Sequence, residues 1–367
     1  MQHPLLYLGL MGFDAESEAA VKCWLDKNAA ITDGEAPAEQ HPIWQIVDFR
    51  QADALLIRGA GVVQGFGTHL QFLPALQGKD ALAPPGPLGV DLRGIKLPFV
   101  LSDAEHLHAL GVDVSNQWVL NRLDEAGMLR ALQHFEASLR TLRSLFALGM
   151  ELLDRKQELE VEHTYHLEHN GNLDAIVDMP LRRVLMRPGT RPIDISMDAW
   201  LRRPKSANFA PHEFVECSLD EIGWVYAMHG HQIELPKRYR SKQIYIHRNP
   251  QVRGSLMSSR HAALVDHLWQ HPLTLAELYR DRPDLSEWLE RDLHALYLVR
   301  CISTQDPAES SASVSSLPGA FASASTWLSR RSHHASSQYA SLHAGTATGI
   351  HAKKRMNTQT DDLQPLL

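Results

Sequence analysis

The chain has 367 residues, 44% of them hydrophobic and 22% charged, with 36 basic against 43 acidic side chains and a net charge of −7. The length exceeds one typical domain, and the composition excludes a wholly disordered chain, a collagen-like fibre and a disulfide scaffold. Mild acidity gives no whole-chain reason to expect polyanion binding, and without a long uncharged apolar run no membrane partner is expected.

In chain order, Leu5–Leu10 is a short apolar run before Gly12 and predicts a strand buried on both faces. Ala15–Lys27 sets Ala19, Val21, Trp24 and Leu25 near one face and predicts a helix, and the polar stretch 28–42 reads as a loop. Trp44–Phe49, Ala54–Ile57, Leu88–Leu92 and Leu97–Leu101 are further strand candidates. Glycine and proline crowd residues 59–87 and leave little room for a regular helix. Residues 1–123 are expected to form an α/β domain. The start Met1-Gln2-His3-Pro4 carries no Lys or Arg, and the apolar run after it is too short for a secretory signal. Three scattered cysteines, Cys23, Cys217 and Cys301, suit a reducing compartment, so a cytoplasmic protein is expected.

From Met128, the residues Leu132, Phe135, Leu139, Leu142, Phe146, Gly149 and Leu153 recur at alternating spacings of four and three, with only Gly149 interrupting the apolar series. This predicts an amphipathic connecting helix over 124–160, about 54 Å long if unbroken. The stripe has two candidate partners, the chain's own N-terminal domain or a second copy of the chain. Leu132, Phe135, Leu139, Leu142, Phe146 and Leu153 form the candidate interaction seam.

Residues 161–254 are expected to be a basic α+β region. Thr164–Glu168 and Leu173–Val177 flank His169-Asn170-Gly171-Asn172, and Asn-Gly favours the tight turn of a β-hairpin. Val184–Met186, Ile193–Met197 and Gln243–His247 also read as strands. Ser218 and Glu221 have capping-box spacing and predict a helix through Met228. In 255–303, breaks at Pro272 and Pro283 divide three helices: Leu256–Trp269, one opening at Thr274-Leu-Ala-Glu277, and Leu285–Val299, with Cys301-Ile302-Ser303 as a short strand. After residue 304, twelve of the thirty-five residues 307–341 are serine, so 304–367 is expected to be a disordered Ser/Ala-rich tail, with Trp327-Leu328 its one apolar patch.

Few residues gather in reactive patterns. Gly59-Ala-Gly61-Val-Val-Gln-Gly65 has the spacing of a phosphate-binding turn, but Gly67 and Pro74 leave no helix to complete it. His163, His166 and His169 could supply imidazoles to a metal, but alternation along a strand sends His166 to the opposite face. No cofactor, metal or catalytic residue is expected. Residues 181–260 instead hold fourteen basic side chains against seven acidic ones. Within that run Arg182, Arg183, Arg187, Arg202, Arg203, Arg238 and Arg240 are the candidate anion- or ligand-binding residues.

Three resemblances follow. The strand–helix–strand opening resembles the receiver domain of bacterial response regulators, with Asp14 after the first strand, Arg58 where the phosphoacceptor aspartate would stand and Ser102 in place of the lysine. The resemblance implies a pseudo-receiver that is not phosphorylated in the usual way. The helices of 255–303 resemble a winged-helix module, whose third helix would be the recognition helix. Its segment carries five arginines against seven acids, so DNA binding through it is not expected and protein contact is. Arg183-Val-Leu-Met-Arg187 followed by Asp194-Ile-Ser196 resembles the ligand motifs of PilZ cyclic-di-GMP receptors, with Ala199 in place of the final glycine. The fold expected is an α/β N-terminal domain, a long helix, an α+β middle and a small helical winged-helix-like module with a disordered tail. The function expected is that of a non-catalytic bacterial regulator or adaptor with a protein partner. A cyclic-dinucleotide or nucleic-acid binder using the arginine-rich middle is the alternative.

Overall fold

In the computed structural model the described residues are 3–306, apart from 29–40, 73–87, 116, 205, 208, 210 and 232–234. Contacts divide the chain into Met1–Thr304 and Gln305–Leu367. The expected disordered tail beyond residue 306, with Trp327-Leu328, lies outside the described residues.

The first unit opens with β1 (Leu5–Met11), α1 (Ala15–Lys27), β2 (Ile43–Val47) and β3 (Ala54–Arg58). Asp14 caps α1 by accepting from the Ser17 N–H at 2.8 Å. The Gly/Pro-rich stretch contributes β4 (Val62–Phe66) and β5 (His69–Phe72), which sequence reading missed, and β6 (Leu88–Asp91) joins them in an antiparallel sheet. After β7 (Phe99–Ser102) and α2 (Ala104–Ala109), the strands β2-β1-β3-β7 form a parallel sheet. Of its crossovers, one carries a helix, α1, and the next only a 3-10 turn at Phe49–Gln51.

The predicted long helix is two. α3 (Glu125–Ser138) and α4 (Arg140–Asp154) meet at Leu139, whose φ of −91° and ψ of 14° leave the helical region. Arg143 reaches back to the Glu136 carbonyl at 3.5 Å and pairs with the Glu136 carboxylate, occupying acceptors in the last turn of α3. Each half is about 21 Å long rather than 54 Å. Nor is the seam an outer surface. Leu132, Phe135, Leu139, Leu142 and Phe146 are buried in a core shared with Leu6, Leu8, Leu56 and Ile222, and Leu153 is half-buried. Gly149, which interrupts the heptad, lies where α4 crosses the later helix at 219–229: a Cβ there would stand 2.9 Å from the Tyr226 Cβ.

The middle sheet is antiparallel, with β8 (Thr164–His169), β9 (Asn172–Asp178) and β10 (Arg183–Met186) at its centre. Asn170 and Gly171 both have positive φ, 50° and 79°, and make the predicted hairpin turn. The expected strand at 193–197 is instead α5 (Pro192–Met197), because Pro192 opens a helical turn and Asp194 accepts from the Arg191 N–H at 2.9 Å. The missed strands β11 (Ala199–Arg203) and β12 (Val215–Ser218) form the two edges, giving the order β11-β8-β9-β10-β12. α6 (Leu219–His229) follows, with the predicted capping box closed in both directions between Ser218 and Glu221.

The last part contains α7 (Arg238–Ser241), β13 (Tyr245–Ile246), α8 (Ser259–Gln270), α9 (Leu275–Asp281), α10 (Leu289–Leu298) and β14 (Ile302–Ser303). β13 pairs with β14, and Ile244 makes an isolated bridge to Leu273, so a two-stranded sheet and one bridge accompany the three helices. The third helix is not presented outward. Leu289, Asp292, Leu293, His294, Ala295 and Leu296 of α10 are buried, and it packs on α6.

Packing crosses every expected domain boundary at 123, 160 and 254. The alternation of β1 sends Leu6 and Leu8 into the central core with α3, α4 and the middle sheet. Leu5 and Tyr7 enter the core of the C-terminal helices, and Met11 joins a third core with the β4-β5-β6 sheet. Among the described residues no helix is long and apolar enough to cross a membrane.

Candidate functional site

The turn between β9 and β10, the edge strand β12, the first turn of α6, the segment 248–253 and the end of α10 enclose a cleft of about 1080 Å³. Five arginines line it: Arg182, Arg183, Arg248, Arg253 and Arg300, against Glu216, Asp220 and Glu221. Asp220 is buried and bracketed by two guanidinium groups, Arg182 at 2.7 Å on one oxygen and Arg248 at 2.7 Å on the other. Arg248 also donates to the Val299 carbonyl, fixing 248–253 against the end of α10. Arg253 forks onto Glu221 with contacts of 2.7 and 3.2 Å, and this hydrogen bonding raises the pKa of its guanidinium. Arg183 pairs with Asp178 at 3.4 Å and with Glu216 at 3.0 Å. The Arg300 side chain is exposed and makes no hydrogen bond or ion pair among the described residues.

Two of these arginines occupy backbone that favours glycine. Arg182 has φ 52° at the end of the β9–β10 turn, and Arg300 has φ 57°. Arg300 is the residue just past α10, where its N–H donates to the Tyr297 carbonyl at 2.9 Å and the Cys301 N–H to the Leu296 carbonyl at 2.8 Å. That pair of bonds is the Schellman closure, which usually has glycine at this position. Holding a Cβ in left-handed backbone costs about 1–2 kcal/mol per residue.

Among the described residues the cleft holds no nucleophile–base pair. Its one thiol, Cys217, is buried and pushed up to about 12, first by desolvation and then by the Glu221 charge. The Ser218 hydroxyl accepts from the Glu221 N–H and donates to the Gln251 carbonyl at 3.0 Å. The α6 N-terminus is closed by the same capping box.

Of the seven arginines singled out from sequence as candidate anion- or ligand-binding residues, only Arg182 and Arg183 reach the cleft. Arg187 is turned onto the buried Asp174, so the two arginines of the PilZ-like motif do not converge there. Arg202 and Arg203 lie on the opposite sheet edge, three strand spacings or about 14 Å from β10, paired with Glu160 at 2.8 Å and Glu168 at 3.4 Å. On α7, Arg238 lies over the Tyr239 ring and Arg240 faces Glu290 at 3.6 Å. Arg248, Arg253 and Arg300 were missed. The first two sit in the basic run, and the signal for Arg300 was a helix end with arginine in place of glycine.

Other candidates resolve into structural roles. Gly59–Gly61 form a 3-10 turn leading into β4, and Gly61 packs against Gly12, whose oxygen would lie 2.0 Å from an added Cβ. Arg58 at the end of β3 faces Asp14 at 3.3 Å and Asp103 at 3.8 Å, and it also donates to Ser17, so both carboxylates already have a cation. His163 meets Glu160 and Arg202, whereas His166 contacts the Ala207 carbonyl. Among the described residues no three His, Cys, Asp or Glu side chains are grouped to hold a metal. Ser258, His261 and Asp292 line up with 3.2 Å contacts, a serine-hydrolase-like order not seen in the sequence. However, the Ser258 N–H donates to His261 Nδ1 at 2.9 Å and occupies the lone pair a base would need. The line is a helix cap on an ion pair.

Neither a family model, nor a curated protein sequence, nor a solved structure matches this chain.

Proposed function

We propose that the chain is a non-catalytic regulatory or adaptor protein that works by recognition, with the arginine cleft as its binding site. The single observation that carries this reading is the composition of the cleft: five guanidinium groups around an open space, with a thiol held protonated and a serine committed to a cap. Such a wall can bind and orient an anionic partner, but it supplies no activated nucleophile. A cytoplasmic setting suits its free cysteines. The alternative, a cyclic dinucleotide or nucleic acid held by the arginine-rich middle, draws less support, because Arg187, Arg202, Arg203, Arg238 and Arg240 lie outside the cleft.

The test is a titration of the full chain with labelled poly-glutamate at low and high salt. Binding that weakens with salt and is lost in Arg182→Gln/Arg300→Gln supports the reading. Equal binding by the double variant overturns it, as does a parent chain that binds neither poly-glutamate nor a phosphorylated probe.

A further inference from the structure

Charge is unevenly distributed along the cleft. At one part Arg253 and Glu221 neutralise one another, and Arg183 faces two carboxylates. At the other, Arg182 and Arg248 share the single carboxylate of Asp220, and Arg300 adds a guanidinium with no partner among the described residues. Three cations to one buried anion leave a surplus of two. All three side chains reach solvent, so the surplus is open to an anion arriving from solution.

The backbone adds an independent observation. Arg182 and Arg300 belong to different elements, a hairpin turn and a helix end, and each holds left-handed backbone. Both line the same cleft. Glycine at either position would relieve strain, so the arginine side chains impose a cost that the local fold does not require. Strain of this kind collects where a side chain is needed for contact.

We infer that the Arg182–Arg248–Arg300 part of the cleft binds a phosphate monoester. A phosphate monoester carries a charge of about −1.5 to −2 at neutral pH and three acceptor oxygens, matching the surplus of two and the forked donors of guanidinium. A carboxylate brings one charge and fewer acceptors. Asp220 acts as a positioning residue: bonded to Arg182 and Arg248 on separate oxygens, it fixes the spacing of the two guanidinium groups. The inference rests on reading the cleft as a recognition site and names the group recognised.

The experiment uses the full chain and three probes: a labelled peptide with one phosphoserine, the same peptide unphosphorylated, and glycerol 3-phosphate as a free monoester. The phosphopeptide is expected to bind at least tenfold more tightly than its unphosphorylated form, and glycerol 3-phosphate to compete with it. Glycerol 3-phosphate binding without phosphopeptide binding supports the same site with a free phosphometabolite as its source. Arg300→Gly is expected to weaken phosphate-dependent binding at least tenfold with the thermal midpoint unchanged or raised, an outcome that a merely structural arginine would not produce. Equal affinity for the two peptides together with no binding of glycerol 3-phosphate overturns the inference, as does full retention of binding by Arg300→Gly. If both peptides bind equally and lose affinity in Arg182→Gln/Arg300→Gln, the recognition reading survives and the phosphate assignment falls. If no probe binds and poly-glutamate also fails, both fall.

Discussion

The Tyr7 hydroxyl donates to the Met228 carbonyl at 2.9 Å, joining the first strand to the end of α6 across 221 residues. Burial pushes the phenol up to about 12, so it remains a donor at any ordinary pH. The same carbonyl also accepts from Arg291 at 2.8 Å, and Arg291 further reaches the carbonyls of Ala227 and Gly230. Removing one donor therefore leaves the acceptor satisfied. Tyr7→Phe is expected to cost about 1 kcal/mol of stability. Arg291→Met removes the donor common to three carbonyls at a helix C-terminus and is expected to cost about 2–3 kcal/mol. Urea unfolding of the two variants checks the order, and a larger loss for Tyr7→Phe would contradict it.

Gly149 tests where the apolar stripe of α4 is buried. Alanine favours a helix over glycine by about 1 kcal/mol, so an exposed Gly149→Ala would stabilise the chain. Here the added Cβ meets the Tyr226 Cβ at 2.9 Å and the Ile222 oxygen at 3.2 Å. Gly149→Ala is expected to lower stability by about 1–3 kcal/mol through overpacking against α6. Leu139→Glu with Phe146→Glu is expected to unfold the chain rather than dissociate a dimer, because both side chains are buried within it. Thermal melts and hydrodynamic mass measured together separate the two outcomes.

Much of the fold was legible where one local signal dominates. The Asn170-Gly171 turn, the capping boxes at Ser218 and Thr274 and the buried run of β1 are each set by neighbours within a few residues. The break at Leu139 was not legible, because the α3–α4 stripe keeps its heptad spacing through a bend closed by Arg143 reaching Glu136. Edge strands β11 and β12 were missed because Arg202, Arg203 and Glu216 face solvent and hide the alternation. The basic run pointed to the right region for the cleft but not to its membership. Sequence shows how many arginines there are, whereas β-sheet order decides that Arg202 lies on the far edge and Arg300 lies near Arg248.

Asp292 is fully buried and accepts a two-bond fork from Arg260 at 2.8 and 3.0 Å, with His261 Nε2 at 3.2 Å. The Arg260 guanidinium also lies 4.6 Å over the Trp288 ring. Asp292→Ala leaves that cation desolvated and without its carboxylate, and is expected to cost about 3–5 kcal/mol. Ser258→Ala removes only a helix-capping hydroxyl, for a cost of about 1 kcal/mol. Near-equal losses, or ester hydrolysis by the parent chain that Ser258→Ala abolishes, would show that the Ser258–His261–Asp292 line is more than a cap.

Asp198 should make stability depend on pH. Both of its carboxylate oxygens are buried. Desolvation, followed by the charge of Asp174 and a hydrogen bond to it and by the charge of Asp194, raises its pKa from 3.8 to about 7, while Arg187 opposes the shift. In the folded chain the carboxyl keeps a proton that the unfolded chain releases above pH 4. The stability it contributes is therefore fully present below about pH 4 and is lost progressively as pH rises toward 7, a change of a few kcal/mol at most. Asp198→Asn places a neutral amide that can still donate to Asp174. The variant is expected to match the parent near pH 4 and to exceed it at pH 8. Urea midpoints at pH 4, 6 and 8 measure the difference, and a parallel pH profile for the two proteins would show that Asp198 is ionised in the fold.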